Sequence, residues 1–296
     1  MDYVGGAMTP LDKVKSLPCW DGAVEVAPLG GGLTNVNFVV QDSTRKAVVR
    51  IGGDIPVHQI LRFNEAAASR AAFAAGISPE VLHQEPGVLV LGFIQGGTMT
   101  AQDLQQHDLL DQALNLVIRV HREMPLHLRG PSLTFWVFHV IRDYAATLKE
   151  GGSDYLDLLT GMAADALELE EAVGTIDMVF GHNDLLPANF IHDGTRMWLV
   201  DWDYAGWGSP LFDLGGLAAN SGLSEAQERW MLWRYFGSVD PGLWRRYLAM
   251  KAAAALRETM WSMVSEIQSE LDFDYAGYTA TNLSTYRLAL QAFRQA

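Results

Sequence analysis

The hydrophobic period of this chain changes near residue 95, and the change limits the folds open to it. Before that point apolar residues alternate in short runs between glycine-rich turns; after it they recur every three to four residues over long stretches. Val36–Gln41 and Lys46–Ile51 are rich in β-branched residues and flank the polar Asp42-Ser43-Thr44-Arg45, which predicts a hairpin. Residues 88–94 predict another strand. A short helical lead at 9–16 and one inserted helix at 60–75, with Leu61, Ala68, Ala72 and Ala75 in phase and Gly76 as its stop, complete this part. Helices are expected at 101–123, 132–149, 154–172, 224–236 and 241–268. Between the third and fourth, residues 180–220 read as one irregular stretch with strand-like segments at 189–192 and 197–201. The expectation is an α+β chain with a small β-rich lobe over 1–95 and a larger, mostly helical lobe over 96–296. A long irregular insert in a helical lobe is where function tends to reside.

With 49% apolar residues in 296, the chain can bury a full core. Lys and Arg number 21 against 35 Asp and Glu, a net charge of −14, and no cationic run exceeds two residues. Nucleic acid is therefore not an expected partner, because phosphate backbones need clustered cations. A cationic ligand is compatible with this balance. Cys19 stands alone, so neither an intrachain disulfide nor a cysteine-rich zinc site can form. Charges interrupt every apolar run, including Lys251, Arg257 and Glu258 within 247–264 and Asp2, Asp12, Lys13 and Lys15 near the start. No membrane insertion and a cytoplasmic location are expected. No sequence feature speaks to oligomeric state.

The irregular insert contains His182-Asn183-Asp184-Leu185-Leu186-Pro187-Ala188-Asn189. Asp184 and Asn189 stand at the spacing of the kinase catalytic loop, in which the Asp faces an acceptor hydroxyl and the Asn ligates metal. Asp201 follows the apolar Met197-Trp198-Leu199-Val200, where a kinase places its main metal-binding carboxylate. Oxygen ligands from Asn189 and Asp201 suit Mg²⁺. Any one of Asp184, Asn189, Asp201 and Asp203 alone reads as a turn former; together, at this spacing, they predict phosphoryl transfer. His182 is expected to brace the loop backbone, since Asp184 already fills the role of base.

Gly30-Gly31-Gly32-Leu33-Thr34-Asn35 lies between two strand-like segments, where backbone amides could approach phosphate oxygens. A plain hairpin turn is an equally good reading. Arg50, on the strand that follows, stands where a kinase usually has Lys, and Glu65 on the inserted helix is its candidate partner. Arg can hold phosphate in a fork; an ordinary surface cation and a solvated carboxylate are the alternative. The strand at 88–94, ending near Phe93, would supply the hinge for adenine.

In its motifs the chain resembles the choline/ethanolamine kinase branch of the aminoglycoside-phosphotransferase-like kinases. The matching segments are Gly31-Gly32-Leu33-Thr34-Asn35, Val48-Val49-Arg50-Ile51, the helix around Glu65, Gly76-Ile77-Ser78-Pro79, His182 to Asn189, Asp201-Trp202-Asp203-Tyr204-Ala205-Gly206 and Phe212-Asp213-Leu214-Gly215. The resemblance implies a protein-kinase-like two-lobed fold, ATP with Mg²⁺, and phosphorylation of a small alcohol such as choline or ethanolamine. It implies that Asp184 is the base, that Asn189 and Asp201 hold the metal, and that Gly31, Gly32, Leu33, Thr34, Asn35, Arg50, Glu65 and Phe93 serve the nucleotide. Tyr204, Trp261 and Tyr278 fall on aromatic positions of a cation box, a role suited to a quaternary ammonium. Asn220 replaces an acidic residue of that box and Glu258 replaces a second Trp. Core packing is the other reading of Trp261 and Tyr278. Asp213 is expected to anchor the loop or cap the next helix. Thiamine, an aminoglycoside or a sugar alcohol as acceptor, or nucleotide binding without turnover, are the alternatives.

Overall fold

The structure is a computed structural model and describes residues 9–30, 34–269 and 271–296. Helix α1 (Pro10–Lys15) precedes strands β1 (Glu25–Leu29), β2 (Val36–Gln41) and β3 (Lys46–Ile51), then α2 (Arg62–Ala74), β4 (Val81–Glu85) and β5 (Val88–Gly92). The five strands form one antiparallel sheet in the order β1-β2-β3-β5-β4. The predicted hairpin is present, with Val36 opposite Ile51 and Gln41 opposite Lys46.

Side chains alternate across a strand, and here the alternation decides what each face meets. Ala47, Val49, Val88 and Val90 pack with Val14 and Leu17 on the α1 side. Leu89 and Leu91 turn the other way and pack against Ala66 of α2. Arg50 pairs in register with Leu89, which directs it to the α2 side and to Glu65.

After a two-residue strand, β6 (Gly97–Thr98), come α3 (Ala101–Leu104), α4 (His107–Glu123), α5 (Val137–Glu150) and α6 (Leu156–Val173). The single helix expected over 101–123 is broken. A Thr100–Asp103 capping box starts α3, and Gln106, extended at φ −76° and ψ 130°, starts α4 afresh. The insert then supplies β7 (Val179–Gly181), β8 (Phe190–His192), β9 (Met197–Leu199) and β10 (Gly206–Gly208). Strands β10 and β7 pair, and β8 joins β6 to β9.

The stretch read as irregular to residue 220 ends instead in α7 (Pro210–Ser221), capped by Ser209. Gly215 and Gly216 weaken its sequence signal. A Cβ on Gly215 would stand 3.1 Å from the Lys251 backbone, so the glycine permits close crossing of the next long helix. Helices α8 (Glu225–Phe236), α9 (Pro241–Gln268) and α10 (Tyr275–Gln295) complete the chain. Helix α10 was not foreseen: β-branched Thr279, Thr281 and Thr285 lower its propensity, and packing of Tyr286, Leu290 and Phe293 into the core compensates. Helix α9 runs through the largest core cluster, where Ala249, Ala252 and Ala253 are buried to the last atom. No helix among the described residues is long and apolar enough to cross a membrane. The β-rich first part and helical remainder match the fold class read from the sequence.

Candidate active site

The loop at 182–189 leaves β7 under tight control. Asn183 adopts a left-handed backbone, φ +63°, and its side-chain amide donates to the carbonyls of Tyr204 (3.0 Å) and Gly206 (3.3 Å). Asp213, in the first turn of α7, accepts the backbone N–H groups of His182 (2.8 Å) and Asn183 (2.7 Å) and lies 2.9 Å from His121 Nε2. Burial opposes its charge, but these partners, His121 foremost, hold its carboxyl below the usual range. His182 Nδ1 accepts the Asp184 N–H (3.2 Å) and its Nε2 lies 3.0 Å from the Val200 carbonyl. A neutral ring protonated at Nε2 satisfies both, and burial pushes its pKa down toward that form. His182 thus ties the loop to the end of β9. Asn189 closes the loop from the far side, its amide nitrogen donating to the Asp184 carbonyl at 2.9 Å.

Beyond β9, Asp201 is also left-handed, φ +72°; such non-glycine backbone gathers at functional sites. Its Oδ1 accepts from Arg50 Nη2 at 2.8 Å, and the same nitrogen reaches Asp203 at 2.9 Å. Arg50 Nε lies 3.0 Å from Glu65, and Arg62 joins Glu65 and Asp203 at 2.8 Å each. Three carboxylates thus share two guanidiniums. Burial would strip charge from Arg50, yet Asp201, Asp203 and Glu65 raise its pKa well above the ordinary value. Glu65 is raised, chiefly by burial. Asp203 is lowered, Arg50 and Arg62 outweighing its burial.

Two cavities meet this loop. One, of 140 Å³, is lined by Asp184, Asn220, Arg257, Glu258, Asn282 and Thr285 among others. The other, of 440 Å³, lies beneath the sheet and includes Leu91, Phe93, Arg50, Asn189 and Asp201. Asp184 is half-buried. Burial pushes its carboxyl up to about 8; Arg257 opposes this, and Glu258, Asp201 and Asp203 add to it. A carboxylate tuned toward neutrality is what general-base work at neutral pH asks for.

The residues singled out in the sequence divide among these places. Gly31, Gly32 and Leu33 lie outside the described residues. Thr34 and Asn35 do not line the 440 Å³ cavity; their side chains reach Asp203 Oδ2 at 2.7 and 3.4 Å. Glu65 does not line it either, and stands behind Arg50. Asn220 and Glu258 share the smaller cavity with Asp184, and Tyr278 donates to Glu258 at 2.7 Å. Trp261 sits one turn farther along α9 and lines a separate 360 Å³ cavity with Thr34 and Tyr275, its Nε1 donating to the Tyr204 hydroxyl at 2.9 Å. Tyr204 is buried, its ring covered by the Arg257 guanidinium at 4.4 Å. The aromatic positions are therefore contiguous but form no open box around Asp184. Arg257, Arg62 and Asn282 were not foreseen. The signal for Arg257 was its interruption, beside Glu258, of an otherwise apolar helix.

Relatives carry this arrangement into a family. Residues 25–259 match the phosphotransferase enzyme family. Protein LicA of Haemophilus influenzae is 24% identical over 262 residues, covering 86% of this chain and 76% of LicA. A probable ethanolamine kinase of Arabidopsis thaliana is 25% identical over 301 residues, covering 90% of this chain and 80% of the relative. Among solved structures, a choline/ethanolamine kinase family protein from Mesorhizobium loti superposes with a TM-score of 0.72 at 27% identity, covering 98% of this chain and 97% of that one. With most of its length matched and the catalytic-loop spacing intact, the chain belongs to the phosphotransferase enzyme family.

Proposed function

We propose that this protein transfers the γ-phosphoryl group of ATP to the hydroxyl of a small amino alcohol, with ethanolamine and choline as the reference acceptors. One observation carries the reading: a single loop faces two cavities, Asp184 in the smaller and Asn189 in the larger. Phosphoryl transfer needs an acceptor and a nucleotide to meet at such a boundary. Asp184 orients the hydroxyl and takes its proton as the oxygen attacks the γ-phosphorus. The new O–P bond forms as the bond to the β–γ bridging oxygen breaks, and ADP leaves.

The donor set fits Mg²⁺. The cluster sets three carboxyl groups against two guanidiniums. Asn189 already uses its amide nitrogen on the Asp184 carbonyl, so its oxygen is the end left for a hard cation. Asn189 and Asp201 would hold the ion, whose chemistry is to draw charge off the phosphate oxygens. Arg50 fixes Asp201 from the sheet side and lines the nucleotide cavity, while Phe93 supports its wall.

Size supports the acceptor class. Pockets for drug-sized ligands run to about 300–1,000 Å³, and 140 Å³ suits an acceptor of a few heavy atoms better than an aminoglycoside. The relatives named as choline or ethanolamine kinases point the same way. The test is ADP release with choline and ethanolamine in wild type, Asp184→Asn and Asp201→Asn. Loss of the base should lower kcat by about 10²–10⁴. Wild-type turnover by both variants would show the roles to be misassigned.

A further inference from the structure

The 140 Å³ cavity beside Asp184 presents acceptor oxygens to a ligand. Glu258 on α9 is the first of them. Its Oε1 accepts from the Tyr278 hydroxyl at 2.7 Å and its Oε2 from Arg257 Nη1 at 2.9 Å. Each oxygen of a carboxylate has two lone-pair positions, so one partner apiece leaves a second position open, and the side chain is 28% exposed. Asn220, near the end of α7, is exposed, and its Nδ2 donates to the Leu185 carbonyl at 3.2 Å. A carbonyl only accepts, so this bond fixes the nitrogen on the loop and leaves Oδ1, which accepts no hydrogen bond among the described residues. Thr285 on α10 is also exposed; its hydroxyl donates to the Thr281 carbonyl at 3.2 Å and keeps its lone pairs.

The same wall has little to hold a methylated cation. A trimethylammonium has no N–H to donate and relies on aromatic faces. Among the described residues, Phe212 is the one aromatic side chain lining this cavity; it is 6% exposed and packed on Phe135 with centroids 4.9 Å apart. The Tyr204 ring is covered by the Arg257 guanidinium at 4.4 Å, Trp261 lines the 360 Å³ cavity, and the Tyr278 hydroxyl is tied to Glu258. An ammonium with N–H bonds meets the opposite case. Its donors match the oxygens of Glu258, Asn220 and Thr285, and its bond to Glu258 is charge-assisted at both ends.

We infer that Glu258 and Asn220 are the specificity-determining residues of this site and that they read N–H bonds: the acceptor is an alcohol whose nitrogen keeps its hydrogens, and N-methylation lowers its turnover. This rests on the phosphotransferase reading above and deepens it. The transfer step is unchanged: the hydroxyl attacks the γ-phosphorus, its proton passes to Asp184, and ADP departs. Glu258 and Asn220 take no part in that step; they hold the far end of the acceptor.

Ethanolamine and its mono-, di- and trimethyl derivatives share one hydroxyl and one positive charge and lose one N–H at each step, which makes them the discriminating series. With the full chain, Mg²⁺ and ATP, ADP release is followed with each of them. From ethanolamine to choline kcat/KM should fall by about a hundredfold, less than a fully enclosed site achieves because this wall is partly exposed. Glu258→Gln and Asn220→Leu nearly preserve volume. Each should lower kcat/KM for ethanolamine by about tenfold, the worth of one such hydrogen bond, and leave choline little changed, so that the range narrows. A cavity that excludes methyl groups by size alone would keep its selectivity in both variants, and a purely structural role would lower all four acceptors alike. The wild-type series decides even where a variant folds poorly. Choline used as well as ethanolamine, or a selectivity unchanged in either variant, overturns this inference and leaves the kinase reading standing. No ADP release with any of the four overturns both.

Discussion

Arg50 on β3 and Asp201 beyond β9 meet at 2.8 Å across the cleft between the sheet and the helical part of the chain. Their sequence separation is 151 residues, so the pair joins two regions with no local reason to be adjacent. Arg50→Met would leave Asp201, Asp203 and Glu65 with Arg62 as their one remaining cation in this cluster. Breaking a buried pair by removing one partner costs about 3–5 kcal/mol. The expected result is a lower urea midpoint together with a large fall in ADP formation, and Arg50→Lys should recover part of the stability without the forked geometry. Unchanged stability in Arg50→Met would contradict a supporting role for the pair.

His58 provides a pH test away from the catalytic loop. It is buried, tilted against Trp261 with ring centroids 5.1 Å apart, and placed between the Tyr144 hydroxyl (3.1 Å) and Ser265 Oγ (3.2 Å). Burial, with Arg257 adding to it, lowers its pKa to about 3. The unfolded chain takes up this proton near 6.5, whereas the folded chain resists until about 3. Stability is therefore full above pH 6.5 and declines as pH falls, by about 3 kcal/mol at pH 4. Urea titrations of wild type and His58→Gln over this range should differ in slope, since carboxylate titrations are common to both. Parallel curves would rule out a buried neutral histidine.

Asp213 holds the loop at 182–189 without lining the 440 Å³ cavity. Replacing it by alanine strands the N–H groups of His182 and Asn183 and leaves His121 without its carboxylate. The expected loss is about 3 kcal/mol or more, with kcat reduced far more than nucleotide affinity. Calorimetric ATP binding beside a turnover assay separates the two; equal losses in both would mean that Asp213 does not act through the loop.

Gly208 is needed for space. A Cβ there would overlap the Phe135 carbonyl oxygen, at the point where β10 lies against the chain before α5 and leads into the Ser209 cap. Overpacking of this kind costs about 1–3 kcal/mol. Gly208→Ala should lower the urea midpoint accordingly, and a neutral result would show that the crossing is slack.

Much of this was legible in the sequence because it is local. The β2–β3 hairpin follows from two β-branched runs around a polar turn, and α9 follows from a 28-residue segment with no proline or glycine beyond Gly242. The loop at 182–189 was readable because Asp184 and Asn189 keep the fixed spacing of a kinase catalytic loop within one short segment. Helix α7 was hidden, since Gly215, which permits a close helix crossing, and Gly216 beside it both lower its propensity.

What the sequence alone determined was the fold class and the spacing of Asp184, Asn189 and Asp201, set by periodicity and short-range motif. Tertiary structure decided which distant groups share a charge or a cavity. Sheet register turns Arg50 toward Glu65, Asp201 and Asp203; the packing of α9 and α10 places Arg257, Glu258 and Asn282 around one space with Asp184 and leaves Trp261 in another. Partnership and burial arise from contacts between segments far apart in the chain, and no spacing within one segment encodes them.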